Sequence, residues 1–279
     1  MRFKIALSTL IISIVVCIIL FSDRFGGIYG KGVRAIVKFV PVAAVVAPVK
    51  IVKQSEIDTV LSRVMLNEIS SQNVYQQMVS YSRGCMEMSQ LVGLAIGVPL
   101  DELNRLKGAT EVAEIGTRNV HQQKAVYLEG TMQLLAVAAR LNGASSTDVD
   151  TITSQVHVND IGTDTIHQQC ANYCNGLLHI AELIAKREGE GAQASAIILD
   201  VTLADIGAKN VYQQIVGRLT GAVKMFAVIA KARGASAVAV EGILTDLQVS
   251  DIGADTVFQQ EVGRLSAIVR LLGLIATGV

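Results

Sequence analysis

An internal repeat constrains the fold of this chain more than any other feature. A Gln-Gln pair occurs five times, and successive pairs are 45 or 46 residues apart. The second glutamines of these pairs are Gln77, Gln123, Gln169, Gln214 and Gln260. A period of this size is typical of stacked helical units, in which each unit covers the apolar face of its neighbour.

Other positions keep a fixed distance from the second glutamine. An acidic residue lies nine positions earlier in every copy, as Glu68, Glu114, Asp160, Asp205 and Asp251, and an isoleucine follows it each time. A small residue lies seven positions later, as Gly84, Gly130, Gly176, Gly221 and Ala267. Four copies also place a glycine twenty positions later, at Gly97, Gly143, Gly189 and Gly234.

The fixed positions of the acidic residue and the glycines predict two helices in each copy. A carboxylate is favourable at the positive N-terminal end of a helix, so the repeated acids are interpreted as the start of a long helix. The later glycine is typical of a helix C-terminus. A shorter amphipathic helix fits the remaining residues of each copy. The sequence therefore predicts an all-α fold, with residues 54–279 forming five tandem helical hairpins in a solenoid-like or bundle array.

The two glutamines of a pair are expected on different faces of the long helix. The first falls among polar positions, whereas the second falls within the apolar arc, in line with the small residues before and after it. A buried amide without a partner costs about 1–3 kcal/mol. The second glutamines and the small residues seven positions later are therefore predicted to pack between repeats and to fix their register. The alternative is that both glutamines are tolerated surface residues.

The N-terminus predicts a membrane anchor. Residues 5–21 are apolar and uncharged, and basic residues precede them. A segment of this length spans about 26 Å as a helix, close to the thickness of the bilayer core. Residues 1–22 are accordingly predicted to be a transmembrane anchor, with a cleaved signal peptide as the alternative. Residues 23–53 are interpreted as a linker or membrane-surface segment, although a second span is possible, and the side of the membrane stays open.

Composition excludes some functions and favours none. The chain has 279 residues, with 24 basic and 24 acidic side chains. It therefore lacks the excess of basic residues that would indicate binding to nucleic acid. His167, Cys170 and Cys174 share one helical face, which would suit a soft metal. However, His179 points about 120° away from His167, and other copies place Leu or Ser at the position of Cys174. A core cysteine is therefore the preferred interpretation, and no metal, cofactor or catalytic group is expected.

We predict a membrane-anchored structural or scaffolding protein that self-associates or binds a protein partner. The fifth copy ends on the apolar segment LLGLIATGV without a polar capping helix, which favours contact with another surface. A membrane-active or signalling protein whose repeats rearrange is the alternative, and an enzyme is the third hypothesis.

Overall fold

The computed structural model describes residues 51–161, 163 and 165–278, and these residues contain ten α-helices and no β-strand. The predicted all-α class is confirmed. The predicted anchor, residues 1–22, and nearly all of the predicted linker, residues 23–53, lie outside the described residues. Among those described, no helix combines the length and the apolar character that crossing a bilayer requires.

Short and long helices alternate along the chain. The short helices are α1 (Gln54–Ile69), α3 (Leu100–Ile115), α5 (Ser146–Ile161), α7 (Gly191–Gly207) and α9 (Ala237–Ile252). The long helices are α2 (Val74–Ile96), α4 (Val120–Leu141), α6 (Ile166–Arg187), α8 (Val211–Ala232) and α10 (Val257–Thr277). Each short helix and the long helix that follows it are here called a hairpin, numbered one to five in chain order.

The long helices begin later than predicted. Each starts six residues after the repeated acid, and its N-cap is an asparagine or a threonine. In α2, for example, the side chain of Asn73 accepts hydrogen bonds from the backbone N–H groups of Tyr75 and Gln76 at 3.0 and 3.1 Å. The C-termini are marked as predicted, because Gly97 ends α2 with a φ of 98°, which glycine adopts without strain.

The five long helices form a closed inner ring. Each packs against the long helices of the preceding and following hairpins, and α10 packs against α2. The short helices lie outside this ring, each on its own long helix and on the long helix of the preceding hairpin. The expectation of an uncovered C-terminal repeat is therefore wrong, because the apolar side chains of α10, such as Leu271 and Leu272, are buried against hairpin one.

The interior of the ring is filled by layers of side chains. Residues one, five, eight and twelve positions after the second glutamine recur on the inward face of every long helix. In α6, for instance, Cys170, Cys174, Leu177 and Ala181 are at most 1% exposed. The five helices thereby bury one shared core, and no hairpin can bury its apolar face alone.

Candidate functional site

The first glutamine of each pair is part of a helix cap. In α2 the backbone N–H of Gln72 donates to the Gln76 side-chain oxygen at 2.6 Å, while Asn73 accepts from the Gln76 N–H. Gln122 and Gln213 likewise accept from the residue before the N-cap, whereas Gln168 and Gln259 accept from the N–H of the N-cap threonine and complete a capping box. Asn or Thr followed three residues later by Gln is a capping-box pattern. That pattern was readable in the sequence but was missed there.

The second glutamines are half-buried. The five half-buried side chains are those of Gln77, Gln123, Gln169, Gln214 and Gln260. Gln123 donates a long hydrogen bond of 3.5 Å to Glu114, and this bond lies within hairpin two rather than between hairpins. The register role assigned to the amides stays a prediction.

The repeated small residues lie where helices pack closely against one another. A Cβ built on Gly221 would come within 2.4 Å of Val201 in the short helix of the same hairpin and within 3.2 Å of Leu178 in hairpin three. Gly84 meets Val64 of its own hairpin at 2.6 Å and Val269 of hairpin five at 3.2 Å. Gly130 and Gly176 lie equally close to side chains of their own short helices, whereas Ala267 is itself buried. Gly84, Gly176 and Gly221 therefore serve both their own hairpin and the contact with a neighbouring hairpin.

The repeated acids do not begin the long helices. Glu68, Glu114, Asp160, Asp205 and Asp251 lie in the last turn of the preceding short helices. Each carboxylate instead interacts with the residue thirteen positions later, on the long helix of the same hairpin. These partners are Tyr81, Tyr127, Tyr173, Arg218 and Arg264. The acid therefore links the two helices of its own hairpin.

The same tyrosine or arginine also reaches the preceding hairpin. Arg264 Nε donates to Thr220 Oγ1 at 2.6 Å, and Arg218 donates to the Ala171 carbonyl at 2.7 Å. Tyr81 makes the equivalent contact across the closure of the ring, with Ser266 of hairpin five. Burial, and then the hydrogen bond to Glu68, raises the pKa of Tyr81 to about 12. One side chain thus connects three helices at these junctions.

An ion pair crosses the interior of the ring. Lys124 Nζ lies 2.7 Å from Glu261 Oε1, and the two side chains are 2% and 3% exposed. Lys124 belongs to hairpin two and Glu261 to hairpin five, which are separated by hairpin one. Burial alone lowers the pKa of Lys124, but the attraction of Glu261, its hydrogen bond and the nearby Cys170 and Cys174 thiols together raise that pKa above its ordinary value. Equivalent positions in other hairpins hold Met78, Cys170 and Ile215.

A closed set of aromatic side chains lies one turn from the ion pair, where the long helices begin. Its members are Tyr75, His121, His167, Tyr212 and Phe258. Each ring meets the next edge to face, with centroids 4.8–5.3 Å apart. Burial lowers the pKa of both histidines, assisted by Lys124 for His121 and by His121 for His167.

The histidine and cysteine group of hairpin three is dispersed. His167 belongs to the aromatic set, Cys170 and Cys174 are fully buried, and His179 contacts Glu182 at 3.0 Å. Burial raises the pKa of the Cys170 thiol to about 11. Within the described ranges, no three His, Cys, Asp or Glu side chains are grouped so that they could hold a metal ion.

Large apolar side chains remain exposed at the last turn of every short helix. The isoleucine that follows each acid is 63–88% exposed, and the residue three positions before it is 60–71% exposed. These outer apolar pairs are Leu66 and Ile69, Val112 and Ile115, Val158 and Ile161, Leu203 and Ile206, and Val249 and Ile252. They face away from the inner ring, opposite the buried side of the helix. The repeated isoleucine is the sequence signal for these outer apolar pairs. When it is assigned to the long helix, it falls outside the apolar arc of that helix, which indicates that it belongs to a different surface.

The chain matches no protein-family model, no curated protein and no solved structure.

Proposed function

We propose that this chain is a membrane-tethered structural protein, in which five tandem hairpins form a rigid annular scaffold. The observation that supports this best is how the repeated side chains are used. The glutamines, acids, tyrosines and arginines that recur with the period serve helix caps and helix–helix contacts. The recurring apolar residues either fill the ring or face outward. The outer surface is therefore the part of the scaffold that remains for partners.

The tether is proposed from the sequence of residues 5–21. This segment has no charged residue, and its length suits a bilayer core. Fractionation of cells that express the full chain tests the proposal, since an integral protein stays in the membrane pellet after alkaline extraction. Replacing Ile12 and Val16 with arginine should move the chain into the soluble fraction, because each arginine costs about 2.5–3.5 kcal/mol at the centre of a span.

A matched control replaces the same two residues, Ile12 and Val16, with leucine, and this variant should remain in the pellet. Recovery of the unmodified full chain in the soluble fraction would argue against the tether. Self-association is tested separately by light scattering of the full chain in detergent. A mass that stays monomeric at high concentration would count against a self-associating scaffold.

A membrane-active protein is the second candidate, and the outer apolar pairs favour it. In that case the ring opens and the pairs enter the bilayer interface, where apolar helix faces bind about 5–10 Å deep. Release of an entrapped dye from phosphatidylcholine vesicles by the full chain would support this candidate. Intact vesicles that carry the bound chain would support the scaffold instead.

A further inference from the structure

An apolar stripe runs along the outer face of α7 over its whole length. Its inner face is buried through Ala194, Ile197 and Val201. The outer face carries a second series, Ala192, Ala196, Leu199, Leu203 and Ile206, here called the α7 seam. All five are exposed, with Leu199 and Leu203 each 60% and Ile206 78% exposed. A surface helix with a continuous apolar stripe opposite its buried side favours a partner that covers the stripe.

The spacing of the α7 seam is that of a helix–helix interface. Successive seam residues are four, three, four and three positions apart. This alternation gives the period of 3.5 residues that lets two helices pack side by side, with the apolar residues of one inserted between those of the other. A flat partner does not require such a period. The geometry therefore favours a helix as the occupant.

The sizes of the seam residues make the seam complementary to itself. Its N-terminal half is small, with Ala192 and Ala196, and its C-terminal half is large, with Leu203 and Ile206. When two copies of α7 pack antiparallel about a two-fold axis through Leu199, each large residue faces a small one. Ala192 then meets Ile206 of the other copy, and Ala196 meets Leu203. This small-to-large match fills the contact evenly, as the interface of a symmetric dimer requires.

The equivalent positions in the other short helices are less suited to this packing. In α3 they include the charged residues Asp101 and Arg105, and in α1 and α5 the first three are Ser or Thr. Helix α9 has Gly242 and Thr245 in the middle, where α7 has Ala196 and Leu199. The one charged residue next to the middle of the α7 seam, Asp200, lies 3.5 Å from Lys224.

We propose that the chain forms a two-fold dimer through antiparallel packing of the α7 seam against the α7 seam of a second copy. This inference rests on the proposed scaffold function and names its partner. Two facing helices of this length bury on the order of 1,000 Å² in total, close to the lower limit for a specific interface. The dimer is therefore expected to dissociate on dilution, unless the predicted tether concentrates the chains in one membrane.

Light scattering of the full chain in detergent over a range of concentrations tests the surface. The unmodified chain should approach twice the monomer mass as concentration rises, and Leu203→Asp should stay monomeric. Val249→Asp is the matched control, because Val249 occupies the equivalent position on α9 and is 64% exposed against 60% for Leu203. That control should dimerise like the unmodified chain. Helical content measured by circular dichroism should be the same in all three proteins.

Crosslinking tests the antiparallel orientation. In a background with Cys17→Ser, the remaining cysteines Cys85, Cys170 and Cys174 are buried. Leu199→Cys should give a disulfide-linked dimer on mild oxidation, because the two-fold axis brings position 199 of both copies together. Thr245→Cys, at the equivalent position on α9, should not.

An antiparallel seam also makes a prediction for mixtures. Ala192→Cys should not crosslink with itself, but a mixture of Ala192→Cys and Ile206→Cys chains should crosslink. Self-crosslinking of Ala192→Cys would indicate a parallel pair and overturn the proposed arrangement.

The outcomes separate this inference from the proposed function. A dimer that persists in Leu203→Asp overturns the α7 seam but leaves a self-associating scaffold in place. A chain that stays monomeric in detergent overturns both the seam and self-association. In a further outcome, the chain binds vesicles in such a way that lipid protects the α7 seam from thiol or protease probes. The bilayer then covers α7, and the proposed dimer is wrong.

Discussion

The buried ion pair between Lys124 and Glu261 gives the sharpest test of the ring. The two residues are 137 positions apart in the chain and meet only if hairpins two and five face each other across a closed interior. With side chains 2% and 3% exposed, neither charge can return to water without opening the ring. Removing one partner of such a pair costs about 3–5 kcal/mol, because the other charge stays buried without compensation.

Replacing both residues should behave differently. Met78 and Ile215 occupy the same layer in other hairpins, so the double variant Lys124→Met with Glu261→Ile keeps apolar side chains that already fit there. Such a replacement of a buried pair is neutral or stabilising by about 1–4 kcal/mol. We expect each single variant to be destabilised by about 3–5 kcal/mol and the double variant to be at least as stable as the unmodified chain.

Urea unfolding followed by helical circular dichroism measures these free energies, and the four proteins form a double-mutant cycle. The pH dependence adds a second check. In Glu261→Ile, burial remains and the attraction that raised the pKa of Lys124 is gone, so that pKa falls below its unfolded value of about 10.4. The unfolded chain then binds more protons than the folded one, and the variant should regain stability as pH rises toward that value. Single variants within about 1 kcal/mol of the unmodified chain would refute the crossed, buried arrangement.

Three further predictions concern the aromatic set, the close contact at Gly221 and the cap of α8. Burial lowers the pKa of His121 and His167, so the folded chain binds protons there less readily than the unfolded chain, and stability should fall as pH drops below about 6.5. Urea titrations at several pH values should show a smaller loss in the double variant His121→Phe with His167→Phe. The exposed control His157→Gln should show the same loss as the unmodified chain. Gly221→Ala should lower the free energy of unfolding by about 1–3 kcal/mol, since its Cβ would lie 2.4 Å from Val201. The control Gly242→Ala, whose Cβ would have no atom within 4 Å, should be neutral or stabilising. Equal effects of the two substitutions would contradict the close contact at Gly221. Asn210→Ala should cost about 1 kcal/mol in the same assay through the lost cap, and Asn210→Asp should keep most of the stability because its carboxylate can still accept from Gln213 N–H.

The sequence predicted the helices better than it predicted their ends. The period located each long helix, and the closing glycines marked the ends of four of them, since glycine with positive φ is a strong local signal. The starts were misplaced because an acid near a helix boundary was assigned to the wrong helix. Glu68 is separated from the true N-cap, Asn73, by a short loop, and its carboxylate pairs with Tyr81 instead.

The repeat period of the sequence does not predict that the five hairpins close into a ring. Helical periodicity shows which face of each helix is apolar, but not the angle between successive hairpins, and that angle decides between an open array and a ring. Contacts such as Cys85 with the Leu265 carbonyl depend on the sum of all these angles. The layer that holds Lys124 and Glu261 was missed for the same reason, because each charge looks isolated within its own copy.

Closure of the inner ring also fixes how this chain can change over evolution. An open stack of hairpins can gain or lose a unit at its ends and keep the remaining interfaces. Here the contact of α10 with α2 leaves no end to extend. A sixth hairpin, or the loss of one, would alter every angle between neighbours at once. A change in copy number would therefore disturb every contact between hairpins, whereas a single substitution disturbs only the contacts of one side chain.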